Sequence, residues 1–252
     1  ALDSEVRIVG IKGIPEVSAG AALADLILAA IQAQGEDLRD GDTLVVAQKV
    51  VSKAEGSLAE LGTVQPSPFA RRYGRESGKD PRYVEVILQE SRRIVRMDRG
   101  HLIAETHHGF VCANAAVDMS NSGGRGVVAL LPRDPDRRAS ELREAVRERL
   151  GVDVAVIISD TFGRPWRVGA VNVAVGVAGL EPLLDYVGQQ DPCGYVLRSS
   201  AIAVADELAS AAELVMGKLS RIPVAIIRGY PFQKAPGSAR SLVRSPEDDL
   251  FR

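Results

Sequence analysis

A mixed fold of helices and strands is what this sequence predicts, on two observations. Short continuous apolar runs at 43–47, 153–159 and 222–227 have the length of buried strands. Between them, apolar residues recur every three or four positions, as one face of a helix requires.

Taken in order, 6–16 reads as a strand entering a Gly/Pro turn, and Leu23, Leu26, Ile27, Ala30 and Ile31 mark the first helix. The turn Asp40-Gly41-Asp42 feeds strand 43–47, which delivers Gln48, Lys49 and Lys53 at its end. Residues 66–95 carry a helical stripe of Tyr83, Val84, Ile87, Leu88, Ser91 and Ile94. Two strands around a His-Gly turn are expected in 101–111, then a loop of small and polar residues over 113–126 and a strand at 127–131. Pro132 to Asp136 breaks the chain and caps a charged helix at 138–150. Strand 153–159 should end in a loop holding Asp160, Thr161, Gly163, Arg164 and Arg167, followed by the small apolar stretch 170–180, which suits close packing. A helix at 204–219 and a strand at 222–227 ending in Arg228 complete a body of residues 1–236. The polar stretch 237–252 reads as a tail or linker.

The 252 residues suffice for one large core or two modest ones. A net charge of -2 excludes a nucleic-acid binder working through a global basic field, so any anion recognition must be local. No run approaches the roughly 18 consecutive apolar residues of a spanning helix, and the first residues lack a secretory pattern; a cytoplasmic protein is expected, with no membrane partner. Cys112 and Cys193 cannot build a disulfide framework. His107 and His108 are neighbours that an extended chain points apart, which favours a surface loop over a metal site.

The chemistry concentrates at strand ends. A carboxylate and a hydroxyl, Asp160 and Thr161, beside the guanidinium groups of Arg164 and Arg167 can hold a divalent cation and the phosphates it neutralises. They can equally cap a helix or close a turn. Asp118 adds a second carboxylate, and Lys49, Lys53 and Arg164 can offset phosphate charge. No Gly-x-x-x-x-Gly-Lys-Ser/Thr loop and no Gly-x-Gly-x-x-Gly after a strand is present, so neither a P-loop enzyme nor a dinucleotide-binding dehydrogenase is supported.

Several ordered blocks together resemble the coenzyme F-420-0:L-glutamate ligase family, the gamma-glutamyl ligases of deazaflavin biosynthesis. They are Gly13-Ile-Pro-Glu16, Asp40-Gly-Asp-Thr-Leu-Val-Val46, Val51-Ser-Lys-Ala-Glu-Gly56, Asn114-Ala-Ala-Val-Asp118-Met-Ser-Asn121, Leu131-Pro-Arg-Asp-Pro-Asp136, Ile158-Ser-Asp-Thr-Phe-Gly-Arg164, Ala205-Asp-Glu-Leu-Ala209 and Arg228-Gly229. The resemblance implies an α+β fold in two subdomains, an intertwined homodimer, and ligation driven by GTP with Mn²⁺ or Mg²⁺, with a monovalent cation as a further candidate. Coenzyme F-420-0 and L-glutamate are the implied substrates. By motif, Asp118, Asp160 and Thr161 look like the metal residues. Ile14, Pro15, Glu16, Val17, Gln48, Lys49, Lys53 and Asn121 look like nucleotide contacts, joined by Met216, Gly217 and Lys218. Asp118, Asp160, Lys53 and Arg164 are the implied catalytic set.

Lys218 departs from the archaeal pattern, where a carboxylate helps bind a second metal. Met216-Gly217-Lys218 and the closing Gly237-Ser-Ala-Arg-Ser-Leu-Val-Arg244 are more similar to the bacterial branch, in which a flavin-reductase-like domain follows. The implied route is an acyl phosphate captured by the glutamate amine, with Glu16 and Glu55 as candidate bases. Two alternatives stay open: a non-catalytic nucleotide- or deazaflavin-binding dimerisation module, and a metal-dependent phosphatase using the two aspartates.

Overall fold

The computed structural model describes residues 5–120 and 124–249. The chain runs through β1 (Arg7–Ile11), α1 (Leu23–Ala33), β2 (Thr43–Ala47), α2 (Gln48–Glu55), β3 (Leu58–Glu60), α3 (Pro68–Ser77), α4 (Pro81–Gln89), β4 (Ser91–Asp98) and β5 (His101–Thr106). It continues through β6 (Val111–Ala113), β7 (Val127–Ala129), α5 (Pro135–Leu150), β8 (Ala155–Arg164), β9 (Arg167–Ala178), β10 (Leu184–Asp185), β11 (Ala201–Ile202), α6 (Val204–Met216) and β12 (Val224–Arg228). The architecture is α+β, as the resemblance implies. A five-stranded sheet in the order β1-β12-β2-β8-β9 is accompanied by the sheets β4-β5-β6, β3-β7 and β10-β11.

β2 lies at the centre of the main sheet, and its Leu44, Val45 and Val46 are buried, which is why that strand is a continuous apolar run. β2 and β8 are the parallel pair, with Ala47 opposite Ser159; the other pairings in this sheet are antiparallel. Parallel strands leave a sheet at the same end. Residues 48 and 49 from β2 therefore emerge beside residue 160 from β8.

Two cores sit behind this arrangement. The larger joins the main sheet to α1, α5 and α6, and the smaller is built from Ala70, Tyr73, Tyr83, Ile87, Leu102 and Val128, among others. The helical pattern expected over 66–95 divides into α3, α4 and β4. Gly78, at φ 72, ends α3, and Asp80-Pro81 starts α4, with the Asp80 carboxylate accepting the N–H of Arg82. Ser91 and Ile94 belong to β4, not to the helix stripe. α5 uses the same Asp-Pro device, with Asp134 as its cap. The helix expected to reach residue 219 stops at Met216.

Three further differences bear on the site. The strand expected to end at 159 continues to Arg164 and folds back into β9, with Pro165 and Trp166 as the turn and Arg164 opposite Arg167. The anticipated loop is thus the outer half of a hairpin. Arg228, grouped with the strand-end residues by sequence, lies at the opposite end of the sheet, where it pairs with the buried Asp42 and with Asp37. The stretch from 237 begins seated on the body: the Asp136 carboxylate accepts the N–H of Ala239 and the hydroxyl of Ser238.

Candidate active site at the ends of β2 and β8

Lys49, in the first turn of α2, forms an ion pair of 2.6 Å with Asp118. Ser120 donates its N–H and its hydroxyl to the same carboxylate, at 2.7 and 3.0 Å, and the hydroxyl oxygen accepts from Lys49 at 3.0 Å. Burial pushes the Asp118 carboxyl up, but Lys49 and Ser120 outweigh it and hold it below the usual range. Asp160 behaves oppositely. It keeps some exposure yet lies deep among protein atoms, and this desolvation pushes its pKa up to about 6. The nearby Asp118 charge adds to the rise, while the N–H of Thr161 and the ammonium groups of Lys49 and Lys218 oppose it.

The backbone that delivers Asp118 is strained. Asn114, Ala115 and Ala116 have φ of 54, 50 and 58°, three consecutive residues with a Cβ in the left-handed region. Such a conformation costs about 1–2 kcal/mol per residue, so it persists only where its surroundings fix it. Here they do. Lys79 donates to the Asn114 side-chain oxygen at 2.9 Å, and the buried Tyr83 hydroxyl donates to the Val117 carbonyl at 2.8 Å. Asp118 then exchanges two backbone hydrogen bonds with Ala129 of β7. Burial, with the Asp118 charge as a second cause, pushes the Tyr83 phenol up to about 12, so its proton stays in place to donate.

On α2, Lys53 lies one turn beyond Lys49, on the same face, and pairs with Glu16 of the 12–22 loop. That loop is tied to α2 by a bond of 2.8 Å from the Gly20 N–H to the Ala54 carbonyl. Ile14 is partly buried, Val17 is buried, and Pro15 and Glu16 are exposed. Gln48 is buried, and its amide donates to Ser52 and to the Leu130 carbonyl, so its NH₂ group serves the fold. Glu55 is also committed: it accepts from Ser57, from the N–H of Arg133 and from Arg138, which leaves it an anchor between α2 and α5 instead of a free base.

Thr161 follows Asp160 in a strand, and neighbours in a strand face opposite sides. Its hydroxyl meets Asn172, its cross-strand partner, at 2.8 Å, and the Asn172 amide reaches Glu213 of α6 at 3.0 Å. A carboxylate only accepts, so the Asn172 NH₂ must face Glu213 and its carbonyl oxygen must face Thr161. The Thr161 hydroxyl is thereby the donor, and its lone pairs remain open. Met216 is buried, Gly217 takes φ 60, and Lys218 is exposed at the end of α6. Arg164 is not brought to the two aspartates. It stands four residues further along β8, about 13 Å of strand, and donates to the Val168 carbonyl. Asn121 lies outside the described residues.

Sequence reasoning missed Tyr83, Lys79, Asn172 and Glu213. A polar residue in the helix stripe was the available signal for Tyr83; only the pairing of β8 with β9 discloses Asn172. The histidines bond separate carbonyls, His107 that of Gln89 and His108 that of Pro132, as a surface-loop pair would. Cys112 is buried, with its thiol pushed up to about 12 by burial and by Asp160. A cavity of about 260 Å³ lined by Glu55 and Arg138 lies between α1, α2 and α5, away from the aspartates; another, of about 230 Å³, adjoins Phe162.

Among the described residues no three His, Cys, Asp or Glu side chains gather into a metal cluster. The donors at hand are the two carboxylates, both hard oxygens; the Thr161 hydroxyl, on the other face of β8 with Asn172, is not brought to them. They fit Mg²⁺ or Mn²⁺, which commonly take one or two carboxylates and complete their shell with water and substrate phosphate. Asp160 is desolvated and feels the Asp118 charge, and a cation beside it would offset both.

The family model described as F420-0:Gamma-glutamyl ligase matches residues 10–229. The coenzyme F420:L-glutamate ligase of Methanothermobacter thermautotrophicus is 48% identical over 250 residues, covering 98% of this chain and 99% of that relative. Those of Methanopyrus kandleri and Methanocaldococcus jannaschii are 48 and 44% identical, over 94 and 85% of this chain and 94 and 86% of their own lengths. Residues 14–17, 48–53, 118, 160–164 and 216–218 all fall inside the family match.

Proposed function

The chain belongs to the F420-0:gamma-glutamyl ligase family, a family of amide-forming ligases, and from that premise we propose that it joins L-glutamate to the phospholactyl carboxylate of coenzyme F-420-0, using GTP. The observation that carries the reading is the meeting of Asp118, Asp160 and Lys49 where two parallel strands end. Ligands commonly bind at such ends.

The substrate carboxylate attacks the γ-phosphorus of GTP, the bond to the β-phosphate oxygen breaks, and GDP leaves. The neutral amine of glutamate then adds to the acyl carbon, inorganic phosphate departs with the electron pair of the broken C–O bond, and the nitrogen gives up one proton to solvent. Further glutamates add in the same way through γ-linkages. Asp118 and Asp160 would hold a divalent cation, Mn²⁺ or Mg²⁺, which would supply charge neutralisation at the phosphates. Lys49 and Lys53 line α2 toward the nucleotide, with 14–17 as the facing loop. Gln48 and Met216 are buried, so they contribute through backbone, and Gly217 and Lys218 close the α6 side, where Thr161 offers its lone pairs. Arg164, bonded to the Val168 carbonyl at the hairpin tip, is left without a role at these phosphates.

The test is product mass spectrometry with F-420-0, glutamate, GTP and Mn²⁺ or Mg²⁺. One or more added glutamyl residues are expected. Phosphate release without glutamylation would instead support a phosphatase, and no turnover beside an active relative would support a binding module.

A further inference from the structure

The smaller core has a task at the active site that neither the motifs nor the family match assigns. Asp118 is the one site carboxylate that the main sheet does not deliver; it follows the left-handed turn Asn114–Ala116, whose alanines would rest more comfortably at negative φ. Two side chains, one in the smaller core and one beside it, hold the two ends of that turn. Tyr83, in α4, is buried and bonds the Val117 carbonyl, one residue before Asp118. Lys79, in the link between α3 and α4, bonds the Asn114 side chain at the turn's first residue. Lys79 also lies over the Tyr83 ring, 6.0 Å from its centroid, so the two clamps brace each other.

We propose that Tyr83 and Lys79 are positioning residues: by holding Asn114–Ala116 in the left-handed region they fix the Asp118 carboxylate opposite Asp160. Neither acts on substrate. Without them the turn relaxes toward negative φ, and because Val117 and Asp118 follow directly, the carboxylate is displaced from the cation. This rests on the reading of Asp118 as a cation ligand given above.

The experiment is Mn²⁺ binding to the full chain, read by electron paramagnetic resonance without turnover. Tyr83→Phe removes one hydrogen bond and little volume; Lys79→Met removes the other clamp. Each should weaken Mn²⁺ about tenfold, the lower range for loss of a residue that orients a ligand. Glycine adopts positive φ without penalty, so Ala116→Gly in the Tyr83→Phe background should return the affinity toward wild type. A merely structural role for Tyr83 gives no reason for that rescue. Should Tyr83→Phe not fold, Lys79→Met with and without Ala116→Gly makes the same comparison. Wild-type affinity in both clamp variants, with Asp118→Asn unable to bind, would overturn this inference alone. Mn²⁺ binding that is absent in the wild type, or that survives Asp118→Asn, would overturn the ligand reading beneath it.

Discussion

If the site holds a cation as proposed, the charge on Asp160 decides whether it can bind. Its pKa of about 6 means that the folded protein takes up this proton more readily than the unfolded chain. The sign follows: folding stability attached to Asp160 is gained as pH falls through about 6, and is lost as pH rises through it. Cation binding runs the other way, since it needs the carboxylate. Calorimetric titration with Mn²⁺ should therefore weaken below about pH 6, and Asp160→Asn should lose binding while its melting temperature at neutral pH rises. If Asp160 merely bonds the Thr161 N–H, the asparagine variant would keep both turnover and metal affinity. Lys218, whose charge opposes the Asp160 shift, supports a second prediction. Lys218→Ala should raise KM for GTP and steepen the metal dependence, and Lys218→Glu should add a second-cation requirement; unchanged GTP and metal titrations in both would leave Lys218 a surface charge. Asp160 and Lys49 could be placed together because strand ends punctuate a sequence, and Asp118 stood out as a carboxylate in a loop of small residues. Asn172 and Glu213 were not, since what joins them to Thr161 is a cross-strand pairing and a helix packed beside it.

Elements were legible where a local signal was unopposed. Ser67-Pro68, Asp80-Pro81 and Asp134-Pro135 each begin a helix because a capping oxygen precedes a ring already set to helical φ, yet only the last was read as a helix start, the other two being absorbed into one stripe over 66–95. Two signals misled. The apolar period of α4 carries into β4, where Ile94 faces strand neighbours, and the glycines and proline of 163–169 suggest a loop although Thr161, Phe162, Trp166 and Val168 favour strands. The start of the C-terminal stretch is held by an anchor that lies elsewhere in sequence: Asp136, in the first turn of α5, accepts the N–H groups of Val177 and Ala239 and the Ser238 hydroxyl. Asp136→Ala leaves two N–H groups without that partner, and each such loss costs about 1–3 kcal/mol where water cannot replace it. A lowered melting temperature and faster proteolysis after residue 236 are expected. A melting curve equal to wild type would show that the stretch is held by other contacts.

At the scale of the whole molecule, the family resemblance implies a homodimer, and the surface offers a physical reason. Trp166 and Val168, at the tip of the β8-β9 hairpin, are 81 and 101% exposed, and Leu214 and Leu219, flanking the end of α6, are 84 and 91% exposed. Single exposed apolar residues are ordinary; large ones on both elements that frame a site are the composition of an interface. The same hairpin carries Asp160 and Thr161 at its base and Arg164 near its tip, so a copy that covered the tip would also hold the base in place. Light scattering should accordingly give twice the 26.9 kDa chain mass. Val168→Asp places a charge where a partner would exclude water, and should shift the mass toward that of one chain without lowering the melting temperature of a domain it does not pack within. Loss of activity in that monomer, with Mn²⁺ binding weakened as well, would tie the site to assembly. A wild-type chain that is active and strictly monomeric would remove the dimer from the account and leave Trp166 and Val168 to some other partner.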